Sequence, residues 1–253
     1  MGKIKGILLD IDGVLYVGDR VIDGAIEAVR KLKEKYKLRF ITNTTTKPQS
    51  IIYRKLKLMG FDIEENEIFS ALTATKEFLK EKNAGAYLLL TDVAKKEFKD
   101  IKDLPIKYVV VGDARENITY ESMNTAFRYL IHGAELIAAA KNRYFKDKDG
   151  ELSLDAGPFV VALEFASDKK AILIGKPNRE FFLKAVKSMN LKPEEVAIVG
   201  DDIEADVKGG MDAGLFGILV KTGKFKEEDL KKGIKPDLII NSIKDLPEAL
   251  EQI

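Results

Sequence analysis

Two carboxylates stand two residues apart in Lys5-Gly6-Ile7-Leu8-Leu9-Asp10-Ile11-Asp12-Gly13-Val14-Leu15. Asp10 ends an apolar run, Ile7 to Leu9, whose length and branching suit a buried strand. There Asp10 can attack an electrophile or bind a metal, and Asp12 can move a proton. Gly13 lets the backbone turn away sharply, so that both side chains are left aimed at one spot. Asp-x-Asp-Gly also serves as an ordinary strand-ending turn, and by itself it does not separate the two readings.

Partners stand at the ends of three more apolar runs. Leu38 to Ile41 runs into Thr42, Asn43 and Thr44; Ala171 to Ile174 runs into Gly175-Lys176-Pro177; Val196 to Val199 runs into Gly200, Asp201, Asp202 and Asp206. Parallel α/β sheets bind ligands just outside the carboxyl ends of their strands. Four such ends lined up at one edge of one sheet would make these side chains converge.

That set suits a phosphate monoester. The substrate is a dianion, and a carboxylate approaches phosphorus only when the charge is offset. Mg²⁺ does this with one or two carboxylates, waters and the phosphate itself. Asp10 and Asp201 are the expected direct ligands, with the Asp12 main-chain carbonyl as a third. Asp206 would hold a metal-bound water or the geometry of Asp201. Lys176 is a point charge for phosphate or nucleophile. The Thr42 hydroxyl and the amides of Asn43 and Thr44 can donate to phosphate oxygens without adding charge. Asp10 would then form an aspartyl-phosphate. Asp12 would protonate the leaving oxygen and later take a proton from the hydrolysing water.

Amphipathic spacing predicts helices over Gly24 to Tyr36 and Pro48 to Met59, alternating with the first two strands. Short links between such units mean right-handed crossovers and a doubly wound parallel sheet, an α/β, Rossmann-like core. Roughly a hundred residues separate the second polar strand end from the third, too many for a loop. The expected division is a core of 1–72 and 173–253 with an inserted α/β domain over 73–172. Within the insertion, Lys146-Asp147-Lys148-Asp149-Gly150 reads as a hairpin turn rather than a calcium loop, since no glutamate follows at the needed distance.

Lys+Arg 42 against Asp+Glu 41 leaves a formal charge of +1, which argues against nucleic acid or a membrane surface as partner. The absence of cysteine excludes disulfides, thiolate catalysis and cysteine metal sites. No apolar run approaches the ~20 residues of a membrane span and no secretory leader is seen, so a cytoplasmic location is expected.

The ordered set DIDGVL, ITNTT, GKP and GDDIEAD resembles the four motifs of haloacid dehalogenase-superfamily phosphatases. The long insertion is similar to the C2-type cap of the branch holding 4-nitrophenylphosphatase-like and phospholysine/phosphohistidine/inorganic-pyrophosphate phosphatase-like proteins. AGPFVVALEFAS and GLFGILVKTGK extend the likeness over nearly the whole chain. The resemblance implies Asp10 as nucleophile, Asp12 as acid/base, Thr42 and Lys176 on phosphate, and Mg²⁺ held by Asp10, the Asp12 carbonyl and Asp201. It implies a small phosphorylated substrate, a cap that closes over it, and a homodimer through the cap. Thr44 departs from the asparagine many relatives carry there, and Asp202 matches no invariant role.

Blander readings stand beside these. Thr42 and Asn43 can cap a helix, Asp206 can be a surface acid, and Asp202 fits a capping or solvent role. His132, just before Gly133, suits a helix carboxyl end. Tyr144, Phe145, Phe159 and Phe165 read mostly as core of the inserted domain. Three rival functions remain: a dehalogenase or phosphonatase on the same fold; a phospho-accepting signalling module, which would be about half this length; and a pseudoenzyme scaffold, disfavoured because every catalytic position is filled.

Overall fold

The computed structural model of the chain describes residues 3–146 and 151–252. Its contacts divide it into two units, Met1–Thr42 with Ile52–Phe69 and Lys176–Ile253, and Asn43–Ile51 with Ser70–Gly175. In chain order come β1 (Gly6–Asp10), the short strands β2 (Tyr16–Val17) and β3 (Arg20–Val21), α1 (Ala25–Lys33), β4 (Lys37–Thr42), α2 (Gln49–Leu58) and β5 (Ile68–Ser70). Next are α3 (Ala71–Glu81), β6 (Gly85–Leu89), α4 (Asp92–Lys95), β7 (Ile106–Val111), α5 (Tyr120–Ile131) and β8 (Glu135–Ala138). They are followed by β9 (Tyr144–Lys146), β10 (Leu152–Leu154), α6 (Ala156–Ser167), β11 (Ile172–Leu173), α7 (Arg179–Lys187) and β12 (Val196–Gly200). The chain ends through α8 (Gly209–Asp212), β13 (Phe216–Val220), β14 (Leu238–Ile240) and α9 (Leu246–Glu251).

The first unit is built on a six-stranded sheet ordered β14-β13-β12-β1-β4-β5. β1 lies between β12 and β4, parallel to both, and is buried at every position. A strand covered on both faces has no polar side to show, which is why Gly6-Ile7-Leu8-Leu9 reads as a continuous apolar run. Helix α1 turns Ala25, Ala28, Val29 and Leu32 inward, one stripe at helical spacing. These join Ile7, Leu9, Phe40, Leu56, Val199 and Ile218 in one core.

The second unit has its own four-stranded sheet, β11-β8-β7-β6, with parallel pairing throughout. Val109, Val111, Leu136 and Ala138 on its strands pack with Ala126 and Leu130 of α5 and with Val160 and Leu163 of α6. Two sheets with separate cores make each unit a compact α/β layer structure. No helix among the described residues is long and apolar enough to cross a membrane.

Several expectations are corrected here. Ala171 to Leu173 are only half-buried, and their strand β11 pairs with β8 in the second sheet, so the run does not join the sheet that carries Asp10. Three strand ends of the first sheet, not four, carry the polar set. The first unit also resumes at Lys176 rather than 173, and Asn43–Ile51 falls with the second unit. β5 and the β2–β3 hairpin are too short for a periodic signal. Thr42 and Asn43 lie well before α2 and do not cap it; the Gln49 amide donates instead to Glu97 Oε2 at 3.1 Å. Tyr144 and Phe165 are 59% and 91% exposed, so they are surface rather than core, while Phe159 packs against the second core. β9 and β10 pair antiparallel, whereas the expected turn at 147–150 lies outside the described residues.

Candidate active site

The register of the first sheet explains how distant residues meet. Leu9 pairs with Val199, and Asp10 pairs with Ile41, so Asp10, the Gly200-Asp201 step and Thr42 end at one level of three adjacent strands. One oxygen from each of Asp10, Asp201 and Asp206 lies within 4.8 Å of the others, and all three residues are buried.

Asp206 reaches this place through irregular backbone. After Asp201 the chain makes a π-type turn over Ile203–Lys208, in which the amides of Asp206 and Val207 both donate to the Asp202 carbonyl. Such turns shift the side-chain phase of a helix and are frequent at functional sites. Here the shift turns Asp206 inward, where its Oδ2 also accepts from the Asp202 amide at 3.3 Å. The Asp202 carboxylate accepts from the amides of Glu204 and Ala205 at 3.0 and 2.9 Å, so Asp202 is the helix cap that the sequence suggested.

Lys176 joins the set from outside the sheet, on the segment that leads from β11 into α7. Its ammonium donates to Asp10 Oδ1 at 2.6 Å and Asp206 Oδ1 at 2.5 Å, with only 6% of the residue exposed. Burial alone would depress the ammonium, but the two carboxylates against it hold it above its ordinary range. One lysine does not balance three acids. Burial, then the charges of Asp10 and Asp206, push Asp201 up to about 8; burial and Asp10 push Asp206 up to about 7 despite Lys176. Those values belong to the cluster rather than to single residues.

This excess of buried negative charge, carried entirely by oxygen, fits a hard divalent cation of the Mg²⁺ kind. It fits a transition metal bound by nitrogen or sulfur poorly, and the chain has no cysteine and one histidine. That histidine, His132, donates through Nδ1–H to the Arg128 carbonyl, 2.7 Å away at the end of α5.

The remaining expected residues are placed as follows. Asp12 stays outside the trio and its side chain reaches solvent. Crowding by protein raises its carboxyl above the usual range, against the charges of Lys224, Lys55 and Lys176. Gly13 adopts φ +90, and a Cβ on it would strike the Asp201 carboxylate. Thr42 is buried at the end of β4. Asn43 and Thr44 are half-buried and fall with the second unit, where Asn43 Oδ1 lies 2.6 Å from where a Cβ on Gly175 would sit.

Thr222, Gly223 and Lys224, just beyond β13, were not among the expected site residues. The Lys224 amide donates to Asp201 Oδ2 at 2.6 Å, and the Thr222 hydroxyl donates to the Gly13 carbonyl at 2.5 Å. Surrounding protein tends to depress the Lys224 ammonium, but Asp10, Asp201 and Asp202 more than offset this and raise it. The signal available was the family likeness of GLFGILVKTGK, which holds all three residues but no acid to mark a site.

Comparison with known proteins agrees with this architecture. A haloacid dehalogenase-like hydrolase family model matches residues 7–102, and a HAD-hydrolase-like model matches 173–246. The chain is 42% identical over 251 residues to human haloacid dehalogenase-like hydrolase domain-containing protein 2, covering 99% of this chain and 96% of that one. It is 38% identical over 260 residues to the phospholysine phosphohistidine inorganic pyrophosphate phosphatase of Danio rerio, covering 99% and 94%. Among solved structures, the 4-nitrophenylphosphatase of Thermotoga maritima superposes with a TM-score of 0.90 at 31% identity over 98% of both chains. The p-nitrophenyl phosphatase of Archaeoglobus fulgidus gives 0.90 at 33% identity over 98% of this chain and 100% of that chain. With relatives this similar over nearly its whole length, the chain belongs to the haloacid dehalogenase-like hydrolases.

Proposed function

We propose that the protein is a Mg²⁺-dependent phosphatase acting on small phosphorylated metabolites through an aspartyl-phosphate on Asp10. The observation that carries this reading is the meeting of Asp10, Asp201 and Asp206 within 4.8 Å, beside the buried Lys176 ammonium. The names of the relatives, phosphatases for phosphorylated side chains, pyrophosphate and nitrophenyl phosphate, support the substrate class.

Mg²⁺, held by Asp10 and Asp201 with Asp206 behind them, would offset the charge of the phosphate dianion and polarise its oxygens. Lys176, donating to Asp10 Oδ1, fixes the orientation of the carboxylate and leaves its other oxygen to attack. Attack by the free Asp10 oxygen breaks the bond from phosphorus to the leaving oxygen. Asp12, whose carboxyl the surrounding protein raises above its usual range, gives that oxygen its proton. The resulting carboxylate then takes a proton from the water that splits the acyl phosphate and releases Asp10. Thr42, and by extension Asn43 and Thr44, would donate to the phosphoryl oxygens.

The second unit is proposed as the cap, with a homodimer formed through it. Tyr144, Leu152, Leu154, Val161 and Phe165, all on β9, β10 or α6, are more than half exposed, which supports an apolar contact face.

The experiment is a phosphate-release screen over a metabolite panel, with Mg²⁺ and with EDTA, on wild type and Asp10→Asn. Turnover confined to wild type with Mg²⁺ is expected. Phosphate release that survives EDTA would overturn the Mg²⁺ dependence, halide release in EDTA from a haloacid added to the panel would point to the dehalogenase chemistry instead, and full activity in Asp10→Asn would remove Asp10 as nucleophile.

A further inference from the structure

We propose that Thr222-Gly223-Lys224 is a positioning strap that holds the Asp201 carboxylate in the orientation needed to bind the cation. The inference rests on the metal-dependent reading above, and it adds a part of the site that contributes no ligand of its own.

The argument is geometric. Asp201 Oδ2 lies between two glycines, since a Cβ on Gly13 or on Gly223 would run into the carboxylate. Both glycines are in the left-handed region, φ +90 and φ +61, so neither place is suited to a side chain. The two loops close to van der Waals distance, because a Cβ on Gly223 would also stand 2.5 Å from the Gly13 Cα. Two hydrogen bonds lock the arrangement. The Lys224 amide donates to Asp201 Oδ2 at 2.6 Å, and the Thr222 hydroxyl donates to the Gly13 carbonyl at 2.5 Å.

A buried carboxylate beside two others would otherwise rotate or swing away from them, since like charges repel. The strap opposes this with a charge-assisted bond at one oxygen and with backbone walls on both sides. Held this way, the carboxylate keeps an oxygen within 4.8 Å of Asp10 and Asp206. Metal affinity depends on such outer partners, whose loss typically costs 10–100-fold. The Thr222 bond then acts at one remove. It ties the strap to the turn that follows Asp10 and Asp12, so that ligand and nucleophile loops keep one spacing.

The test is Mg²⁺ binding by isothermal titration calorimetry on the whole protein, with circular dichroism and EDTA-treated thermal melting as controls for the fold. Gly223→Ala is expected to weaken Mg²⁺ binding by ten-fold or more while the far-UV spectrum is kept. Thr222→Val is expected to weaken it about three- to ten-fold, and Thr222→Ser to restore it, a rescue that general loosening would not produce. If Gly223→Ala fails to fold, the Thr222 pair decides. Wild-type affinity in Thr222→Val, or in folded Gly223→Ala, overturns the strap alone. A wild-type protein that takes up no Mg²⁺ overturns the metal-dependent reading and the strap with it.

Discussion

Lys176 donates to Asp206 across 2.5 Å with both side chains withdrawn from water, although neither stands on the strand that carries Asp10. The pair is a buried countercharge, and its energetics follow from what would remain without the lysine. In Lys176→Met three acids would share one site with no cation of their own. Removing one partner of a buried pair typically costs about 3–5 kcal/mol. We expect that loss in urea denaturation with EDTA at pH 8. A smaller loss is expected at pH 6, where the orphaned acids take up protons. Equal stability of variant and wild type at pH 8 would show that the lysine is no countercharge.

The same cluster makes the metal-free protein sensitive to pH. Asp201 and Asp206 have folded values raised to about 8 and about 7, above the ordinary carboxylate value of 3.8. The folded state therefore binds protons that the unfolded chain has released, and stability falls as pH rises from about 4 to 8. Asp10 adds to the repulsion, while Lys176 and the Lys224 amide limit it. Thermal melting in EDTA should show the fall, and Asp201→Asn should flatten it. Protons and Mg²⁺ compete for the same oxygens, so the gain in Tm on adding Mg²⁺ should grow from pH 6 to pH 8. A gain that shrinks over that range would contradict the assignment.

Asp202 offers a contrast next door. Its carboxylate is used by the Glu204 and Ala205 amides. Asp202→Ala should cost about 1 kcal/mol of stability, as loss of a helix cap does. Its kcat should change less than about two-fold if the π-type turn survives, whereas direct metal contact would lower kcat and Mg²⁺ affinity together.

Val161 and Phe165 stand four residues apart on α6, on the same side of the helix, 52% and 91% exposed. Burying a Phe side chain is worth about 1.5–3 kcal/mol, so Phe165→Glu should raise a dimer dissociation constant by ten-fold or more. Light scattering during gel filtration reads this directly. A wild-type protein that runs as a monomer at high micromolar concentration would remove the dimer.

Asp10, Asp201 and Thr42 were legible because each stands at the buried carboxyl end of a strand, and a run of branched apolar residues announces such a strand without help from the rest of the chain. Lys176 was legible as a residue but not as a placement. Ile172-Leu173 has the same apolar letters as the strands of the first sheet, yet it pairs with β8 in the second. Residue type cannot tell which sheet offers an open edge. Asp206 required a π-type turn, a backbone irregularity that no letter marks. The strap at Thr222 to Lys224 works through an amide, a hydroxyl and the lack of a Cβ, none of which is distinctive in a loop.

The chain of letters alone thus determined the α/β class, the inserted domain, the acids and the single charge class they could serve. These follow from local apolar periodicity and from chemistry carried by side-chain type. Only the folded arrangement decided which strands are neighbours, that Asp206 faces inward, that Lys176 spans Asp10 and Asp206, and that Asp201 is held between two glycines. Each of these depends on register and backbone path between segments far apart in sequence, where packing rather than local preference selects the outcome.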